Sequence, residues 1–247
     1  MSKHPKVSII TITYHAELWL ERTMLSVGAQ DYPNKEYLIV DGKSMDGTLE
    51  IVFKHRALVT ETLTERDYGI YDAMNKGIAM ATGEYIVFMN AGDVFVDEHA
   101  LSNIMKDAGD ADFIYGKALY RDVNGETRPW HKETPPAHEL NARSFLNGMV
   151  ICHQCMIVRR DLVPEYDLDW SISADIDWSI KLMDIVKTKY FYDEILVYYL
   201  DGGYSGKQKP RSTKERYQIC RKHFGFWPTF FYQFKIALGV IKRGRLS

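Results

Sequence analysis

The sequence lacks several features that would assign it to a familiar class of protein. No G-x-G-x-x-G follows the first strand-like segment and no G-x-x-x-x-G-K-[ST] occurs, so neither dinucleotide nor P-loop binding is indicated. Only three cysteines are present among 247 residues. Cys152 and Cys155 form a C-x-x-C without the second pair that a zinc site needs, and we interpret them as small core residues. The polar stretch 1–5 has no apolar signal-peptide region. We therefore expect a cytoplasmic protein in a reducing compartment.

Acidic residues are scarce in the last part of the chain. From Asp201 onward there are eleven Lys/Arg and two Asp/Glu, which gives +9, whereas the rest of the chain carries −11. An acidic body with a basic tail is typical of a tail that faces phosphates or an anionic membrane surface. The same distribution does not favour a protein that coats nucleic acid.

Over the first 110 residues, strand-like apolar segments alternate with helical ones. The predicted strands are Val7–Tyr14, Tyr37–Val40, Ala57–Thr60 and Tyr85–Met89. The predicted helices are Leu18–Ala29, Leu49–His55, Ile70–Ala81 and Glu98–Asp107. Alternation at this spacing predicts an α/β fold, with a mostly parallel sheet and helices on both faces.

The second half is less regular. Its predicted strands are Phe113–Tyr120, Val150–Val158 and Ile195–Leu200, and its predicted helices are Asp175–Val186 and Thr213–Phe224. The proline-containing stretch 124–139 is long for a connection and is interpreted as a functional flap. We divide the chain into a domain over 1–204, with halves 1–110 and 111–204, and a basic helical C-terminal extension over 205–247.

The segment 229–247 combines aromatic residues with a basic end. Its apolar run is shorter than about 15 residues, too short to span a bilayer. One interpretation is a helix lying in the membrane interface, which makes the protein a peripheral one. The other is a C-terminal helix that packs on its own core, and the sequence leaves both open.

Polar residues follow three predicted strands at one edge of the sheet: Thr13, Asp41 and Asp93. The carboxyl edge is where a parallel sheet brings polar groups together around a ligand. A diphosphate held without a glycine-rich cradle needs its charge neutralised in another way, and a divalent cation on Asp93 supplies this. The alternative for Asp93 is an ordinary turn aspartate after Gly92.

Four blocks in order, 7–14, 40–48, 67–77 and 83–93, resemble the family 2 inverting glycosyltransferases with the GT-A fold. The likeness resumes in patches at 151–154 and 174–178. Within that family the chain is similar to the bacterial surface-polysaccharide enzymes, including those of the colanic acid type. The resemblance implies a Rossmann-like GT-A domain over 1–204, with a nucleotide-binding half over 1–110 and an acceptor half over 111–204. It also implies transfer of a sugar from a nucleotide-diphosphate sugar.

The resemblance also implies roles for four donor-nucleotide residues. Thr13 and Tyr14 would line the nucleotide base, and Asp41 would accept the imide N–H of uracil, which favours a UDP-sugar. Asp67 would help to hold the nucleotide. The alternatives are a turn aspartate before Gly42 for Asp41 and a helix-entry carboxylate for Asp67.

For the metal, the resemblance implies that Asp93 ligates Mg²⁺ or Mn²⁺. Asp93 matches the second aspartate of the family's metal motif, and Gly92 stands where the first is expected. One carboxylate together with diphosphate oxygens and waters is enough for Mg²⁺.

Asp175 matches the family's catalytic base, and its usual acidic neighbour is replaced by Ala174. A helix-capping role is the alternative for Asp175, and Asp177 is the fallback base. His153 and Gln154 are predicted near the acceptor or the diphosphate, and a buried histidine with satisfied contacts is the alternative.

These residues together predict a metal-dependent inverting glycosyltransferase of bacterial polysaccharide biosynthesis. It would move a hexosyl or deoxyhexosyl group to a hydroxyl of a glycan or polyprenyl-linked acceptor, at the inner face of the cell membrane. Gly92 and Ala174 suggest an alternative, a non-catalytic nucleotide-sugar-binding protein with a decayed metal motif. A nucleotidyltransferase would need a glycine-rich, basic loop after the first strand, which 14–17 does not provide.

Overall fold

The structure is a computed structural model that describes residues 4–202 and 209–232. Its strands are β1 (Val7–Thr13), β2 (Lys35–Asp41), β3 (Glu61–Thr64), β4 (Tyr85–Phe88), β5 (Val94–Phe95), β6 (Phe113–Arg121), β7 (Thr127–Pro129), β8 (Met156–Arg159) and β9 (Lys189–Leu200). Its helices are α1 (Leu20–Gly28), α2 (Thr48–Lys54), α3 (Ile70–Met80), α4 (Ala100–Asp107), α5 (Ala174–Ile185) and α6 (Lys209–Phe224).

The strands form one sheet in the order β3-β2-β1-β4-β8-β6-β9-β5, with β7 paired to β6. The four strands of the first half, β3, β2, β1 and β4, are all parallel. Beyond β4 the sheet becomes mixed, because β8 runs antiparallel to both β4 and β6. The predicted alternation of strands and helices therefore accounts for the parallel half of the sheet.

The centre of the sheet is buried on both faces. Every residue of β1 and β4 is buried, as their unbroken apolar runs predict for strands of a parallel sheet. Helix α3 packs closely on β1, since a Cβ on Gly77 would lie 2.6 Å from Cγ2 of Ile10. The prediction that Cys152 and Cys155 are core residues is confirmed, because both are buried free thiols.

Three predicted strands clearly differ in bounds from those of the structure. The last of them, predicted at Ile195–Leu200, begins at Lys189 as β9. The third strand was predicted at Ala57–Thr60, but β3 is Glu61–Thr64 and a 3₁₀ turn occupies Arg56–Leu58. β3 is a largely exposed edge strand, so it has no apolar signal. The predicted strand Val150–Val158 is also too long at its start, because His153–Cys155 is a 3₁₀ turn and β8 begins at Met156.

The stretch 124–139 is not free of secondary structure. It contains β7, which forms an antiparallel hairpin with β6, and the ring of Trp130 directly follows that hairpin. The short strand β5 was not predicted either, and it pairs antiparallel with β9. These pairings bring the ends of β4, β6 and β9 towards one another, and that region contains the candidate site.

The C-terminal part packs on the rest of the chain as far as it is described. Helix α6 contacts α5, and Ile219 and Cys220 on α6 are buried. A further helical segment over 226–232 follows Gly225. In the described part of the chain, no helix has both the length and the apolar character needed to cross a bilayer. Of the predicted extension, 205–208 and 233–247 lie outside the described residues.

Candidate active site

The carboxyl ends of β1 and β2 bring two of the predicted nucleotide residues side by side. The strands are parallel, and Thr13 is the register partner of Asp41. The backbone N–H of Gly42 donates a 2.9 Å hydrogen bond to the carbonyl of Thr13, which continues the pairing beyond the strands. Thr13 and Asp41 therefore lie next to each other at the edge where open α/β sheets bind ligands.

The side chains of Tyr14 and Asp67, the other two residues predicted to bind the nucleotide, lie next to Gly42. A Cβ on Gly42 would overlap the carboxylate of Asp67 and would lie 3.1 Å from Cδ2 of Tyr14. The Asp67 carboxylate also accepts a 3.0 Å hydrogen bond from the backbone N–H two residues later, which fixes it at the turn before α3. The ring of Tyr14 is 62% exposed and is thus open to a ligand. Four residues from three separate motifs meet here: Thr13, Tyr14, Asp41 and Asp67.

The carboxylate of Asp41 is buried and held by Ser44. Its Oδ2 accepts a 2.9 Å hydrogen bond from the Ser44 backbone N–H, and its Oδ1 accepts a 2.5 Å bond from the Ser44 hydroxyl. This is the turn geometry that the sequence left as the alternative for Asp41. Each carboxylate oxygen keeps a second lone pair, so the contact with a base imide stays a prediction.

The turn after β4 holds Asp93 in place. The Gly92 N–H donates a 2.9 Å bond to Oγ1 of Thr23, which in turn donates a 2.8 Å bond to the Asp93 carbonyl. The Asp93 carboxylate points towards β9, where its Oδ1 accepts a 2.8 Å bond from the Leu200 N–H. The side chain is thereby fixed between the ends of β4 and β9.

Burial makes Asp93 difficult to ionise. It raises the pKa of Asp93 to about 7, against the opposing effects of the Leu200 N–H and the charge of Arg22. A nearby cation favours the ionised form of such a carboxylate. Mg²⁺ is commonly bound by one or two carboxylates together with substrate phosphates and waters. Asp93 is therefore a carboxylate whose ionised form a divalent cation such as Mg²⁺ or Mn²⁺ would stabilise.

The residue before Asp93 explains why the site offers a single carboxylate. Gly92 has a φ of +106°, which L side chains rarely adopt, and its Cβ would lie 2.6 Å from Cδ2 of Leu200. The turn is shaped for glycine. Among residues 4–202 and 209–232, no three His, Cys, Asp or Glu side chains are arranged to hold a metal without a substrate.

Asp175 lies in the first turn of α5 and is partly buried. Its Oδ1 accepts a 3.0 Å hydrogen bond from the Ile176 N–H and lies 3.4 Å from the hydroxyl of Tyr71. That hydroxyl donates a shorter bond, 2.8 Å, to the Ile172 carbonyl. Burial raises the pKa of Asp175 to about 6, close to the pH at which a general base works best.

Packed side chains connect Asp175 with the end of β4. Asp175 lies 3.4 Å from the Tyr71 hydroxyl. The Tyr71 ring stacks on Tyr166 at 5.3 Å, and Tyr166 packs edge-on against Phe88, the last residue of β4.

Tyr199 precedes Leu200, whose N–H donates a hydrogen bond to Asp93. The pKa of Tyr199 is raised first by burial and also by the charges of Asp93 and Asp175. Sequence reasoning missed this residue, because Tyr199 reads as an ordinary aromatic member of the last strand.

An aromatic cluster surrounds Tyr199. The rings of Tyr120 and Trp130 stack with centroids 4.7 Å apart, and Tyr199 packs edge-on against them at 5.7 and 5.5 Å. Trp130 lies in the stretch 124–139 that the sequence marked as a functional flap. This stretch therefore reaches the region between Asp93 and Asp175.

His153 and Gln154 are buried next to that region. Nε2 of His153 lies 2.6 Å from the hydroxyl of Tyr166, and its ring packs on Phe88. Burial lowers the pKa of His153 to about 4, so the ring is neutral at pH 7. The Gln154 side chain accepts a 3.1 Å bond from the Cys152 thiol. Nε2 is partnered as the buried-histidine alternative requires, but the buried Nδ1 has no hydrogen-bond partner among the described residues, and contact with an acceptor or a diphosphate stays a prediction.

Asp177 faces α6 and is fully buried. One carboxylate oxygen lies 2.6 Å from Nζ of Lys181, and the other lies 2.7 Å from Nε2 of His223. Although burial alone would raise its pKa, the hydrogen bonds from His223 and Lys181 lower the pKa of Asp177 to about 2. A carboxylate this acidic and already paired is a poor proton acceptor, so we assign Asp177 a structural role and not that of fallback base.

Comparison with known proteins places these residues in context. The family model for glycosyl transferase family 2 matches residues 8–167. A PGL/p-HBAD biosynthesis glycosyltransferase of Mycobacterium bovis is 29% identical over 256 aligned positions, which cover 96% of each chain. An uncharacterized glycosyltransferase of Mycobacterium tuberculosis is 31% identical over 189 positions, covering 73% of this chain and 70% of that protein.

Solved structures are similar to this chain in fold. S. aureus TarS 1–349 in complex with UDP-GlcNAc has a TM-score of 0.68 at 21% identity. The alignment covers 87% of this chain and 64% of that one, so this chain spans less than two thirds of its length. The mannosyltransferase PcManGT from Pyrobaculum calidifontis, in complex with GDP-Man and Mn²⁺, has a TM-score of 0.64 at 18% identity, covering 92% and 67%. The predicted α/β fold of the GT-A type is confirmed.

Proposed function

The chain belongs to glycosyl transferase family 2, and we propose that it transfers a hexosyl or deoxyhexosyl group, with inversion, from a nucleotide-diphosphate sugar to a hydroxyl group. The proposed acceptor is a glycan or polyprenyl-linked glycan of bacterial polysaccharide biosynthesis. One observation carries the proposal: Asp93 is held in the turn after β4, and Asp175 is connected to the end of the same strand through Tyr71 and Tyr166.

The nucleotide is assigned to the residues around Gly42. The exposed ring of Tyr14 offers a surface for the base, and Thr13 lies beside it at the end of β1. Asp41 and Asp67 supply acceptors only, which suits the N–H groups of a base or the hydroxyls of a ribose. A UDP-sugar is favoured because the proposed contact of Asp41 is with the imide of uracil. UDP-GlcNAc and GDP-Man are bound in the two structural relatives.

Asp93 is the residue that would hold a Mg²⁺ or Mn²⁺ ion in the proposed enzyme. When bound, such an ion stabilises the negative charge that develops on a departing nucleoside diphosphate. Gly92 does not count against this assignment, since the turn requires glycine at that position. The decayed motif is therefore not the favoured explanation of the missing first aspartate.

Asp175 is the proposed general base. Its carboxylate takes the proton of the acceptor hydroxyl while the hydroxyl oxygen forms a bond to the anomeric carbon. The bond between that carbon and the diphosphate oxygen breaks, and the electron pair leaves with the nucleoside diphosphate. Attack from the side opposite the leaving group inverts the anomeric configuration. A pKa of about 6 leaves Asp175 mostly ionised at pH 7 and thus ready to accept a proton.

The proposed location is the cytoplasmic face of the cell membrane, with peripheral contact through 229–247. Support comes from the basic charge of the tail and from the exposed side chains of Trp227 and Phe231, which are 65% and 62% accessible. An exposed aromatic segment with basic neighbours is typical of interfacial helices. Residues 233–247 lie outside the described part of the chain.

The test of the proposed function is release of nucleoside diphosphate from a panel of UDP- and GDP-sugars, with and without Mn²⁺. We expect turnover of at least one donor, lost in Asp93→Ala and reduced by about 10²–10⁴-fold in Asp175→Asn, which removes a general base. Asp161→Asn, at an exposed aspartate, is the matched control and should keep the wild-type rate. Equal rates for Asp175→Asn and the wild type would overturn the assignment of the base.

A further inference from the structure

Two cationic side chains from distant parts of the chain converge on Gly148. Lys132 follows the β6–β7 hairpin, and Arg216 lies on α6. Nζ of Lys132 and NH1 of Arg216 lie 3.2 and 3.3 Å from the same point, the position that a Cβ on Gly148 would occupy. Gly148 has a φ of +87°, so glycine is favoured there, and a side chain at this position would crowd both cations.

Neither cation is neutralised by a carboxylate of the described residues. Nε of Arg216 is buried and has no hydrogen-bond partner there. Other cations of α6 are paired, for example Lys222 with Asp167 at 2.9 Å. Burial and the charge of Arg216 lower the pKa of Lys132 to about 8. Two like charges held together in a half-buried position are unfavourable unless an anion joins them.

Two titratable groups that interact with the pair, Cys220 and His131, are not anions at neutral pH. Burial raises the pKa of the Cys220 thiol, although Arg216 and Lys132 oppose this. Burial lowers the pKa of His131 to about 4, helped by the charges of Lys132 and Arg128, so this ring is neutral. The positive charge of Lys132 and Arg216 is therefore available to a ligand.

The pair lies beside the candidate active site. Lys132 is two residues from Trp130, whose ring packs against Tyr199 at 5.5 Å. Within the described residues, Arg22 is the cation that lowers the pKa of Asp93. Asp93 is held between the ends of β4 and β9, whereas Lys132 follows the β6–β7 hairpin and Arg216 lies on α6. The pair therefore comes from elements other than those that hold Asp93.

We propose that Lys132 and Arg216 form a binding site for a phosphate or diphosphate group carried by the acceptor substrate. The planar guanidinium of Arg216 suits bidentate contact with phosphate oxygens, and the ammonium of Lys132 adds a point charge. The role as acceptor site rests on the proposed glycosyl transfer. The anion site itself rests on the geometry around Gly148.

The binding test uses the full-length protein and inorganic pyrophosphate in the presence of a chelator, measured by calorimetry. We expect Lys132→Gln and Arg216→Gln each to weaken pyrophosphate binding by about tenfold or more, because each loses a charge-assisted contact. Lys106→Gln, at an exposed lysine of α4, is the matched control and should bind like the wild type. Arg216→Lys, which keeps the charge, should recover part of the loss. Unchanged pyrophosphate binding in both Gln variants, with melting temperatures like that of the wild type, would overturn the site.

A competition experiment distinguishes the acceptor from the donor as the source of the phosphate. If the site serves the acceptor, protein saturated with UDP still binds pyrophosphate. UDP affinity is then similar in Arg216→Gln and the wild type. Competition by UDP, together with weaker UDP binding in Arg216→Gln, would assign the pair to the donor diphosphate and overturn the acceptor role.

Donor hydrolysis separates this inference from the proposed function. Water replaces the acceptor in that reaction, so Lys132→Gln and Arg216→Gln should hydrolyse the donor at the wild-type rate while transfer to a phosphate-bearing acceptor falls. Absence of any turnover by the wild type would count against the proposed function alone. Loss of donor hydrolysis in both variants would contradict the acceptor site.

Discussion

At the scale of single residues, the burial that makes Asp175 a stronger base also destabilises the folded protein. Asp175 is held at a position where burial raises its pKa from 3.8 to about 6. A carboxyl group whose pKa is higher in the folded protein than in the unfolded chain is harder to ionise in the folded protein. It therefore destabilises the folded state at pH values above its pKa in the unfolded chain. The same property keeps the carboxylate basic enough to accept a proton near pH 7.

This cost predicts that Asp175→Asn is inactive in transfer but more stable than the wild type at pH 8. Each pKa unit corresponds to about 1.4 kcal/mol, so we expect a gain in the free energy of unfolding of about 1–3 kcal/mol. The gain should disappear as the pH falls through 6 towards 3.8, since the wild-type carboxylate then carries a proton in the folded state as well. Urea unfolding at pH 8 and pH 4.5 measures both values.

Asp161→Asn is the control for this prediction, because an exposed aspartate should change the free energy of unfolding by less than about 0.5 kcal/mol at either pH. A loss of stability in Asp175→Asn at pH 8 would show that the folded protein stabilises the Asp175 charge. The general-base assignment would then lose its support from the raised pKa.

At the scale of secondary-structure elements, α6 positions the segment that leads into α5. The carboxylate of Glu215 on α6 accepts hydrogen bonds from the Ser171 hydroxyl at 2.7 Å and from the backbone N–H groups of Ile172 and Ser173 at 2.8 and 3.0 Å. These donors precede the first turn of α5, where Asp175 lies. Glu215 therefore acts on the proposed base through the backbone and is a positioning residue.

Glu215→Gln is predicted to lower kcat about tenfold or more, because small displacements of a catalytic group are costly. The affinity for UDP should stay within about twofold of the wild type, since the nucleotide residues lie elsewhere and keep their contacts. Loss of a charged acceptor should also lower the free energy of unfolding by about 1–3 kcal/mol. Steady-state kinetics, UDP titration and urea unfolding measure the three quantities.

Two further variants identify the positioning role. Glu50→Gln, at an exposed glutamate of α2, is the control for the change in charge. Glu215→Asp keeps a carboxylate and should recover part of kcat. If Glu215→Gln loses stability but keeps the wild-type kcat, Glu215 has a structural role alone.

The sequence predicts best the strands that are buried along almost their whole length. β1, β2 and β4 are buried along almost their whole length and rich in apolar residues, so these strands and the polar residues that follow them are visible in the sequence. β3 is largely exposed and its residues carry no such pattern. Its position follows from pairing with β2, which is a tertiary contact.

The residues of the candidate site also divide into those that the sequence could predict and those that it could not. Thr13 and Asp41 could be predicted because each ends a strand of the parallel half of the sheet, and Asp93 because it lies in the turn that follows β4. Tyr199 could not, because it reaches the site through the parallel pairing of β6 with β9, and neither strand has a motif. Lys132 and Arg216 are about 80 residues apart in the sequence, and their convergence depends on how α6 packs.

At the scale of the whole molecule, charge is divided between an acidic body and a basic C-terminal part. The part from Asp201 onward carries +9 and the rest −11. The described end of this part exposes Trp227 and Phe231. Each basic residue near an anionic surface contributes about 1 kcal/mol of attraction, and aromatic side chains favour the membrane interface. The body alone would be repelled by the same surface.

The full-length protein is therefore predicted to sediment with vesicles that contain anionic lipid and much less with neutral phosphatidylcholine vesicles. Removal of 229–247, or the combined change of Lys242, Arg243 and Arg245 to Gln, should reduce the bound fraction. The effect should weaken at high salt, because the Debye length falls to about 3 Å at 1 M. Neutralising Lys106, Arg143 and Lys187 in the body is the charge-matched control and should leave binding unchanged or slightly stronger. Equal recovery of the full-length and tail variants with anionic vesicles would mean that the tail does not bind the membrane, and would favour packing on its own core.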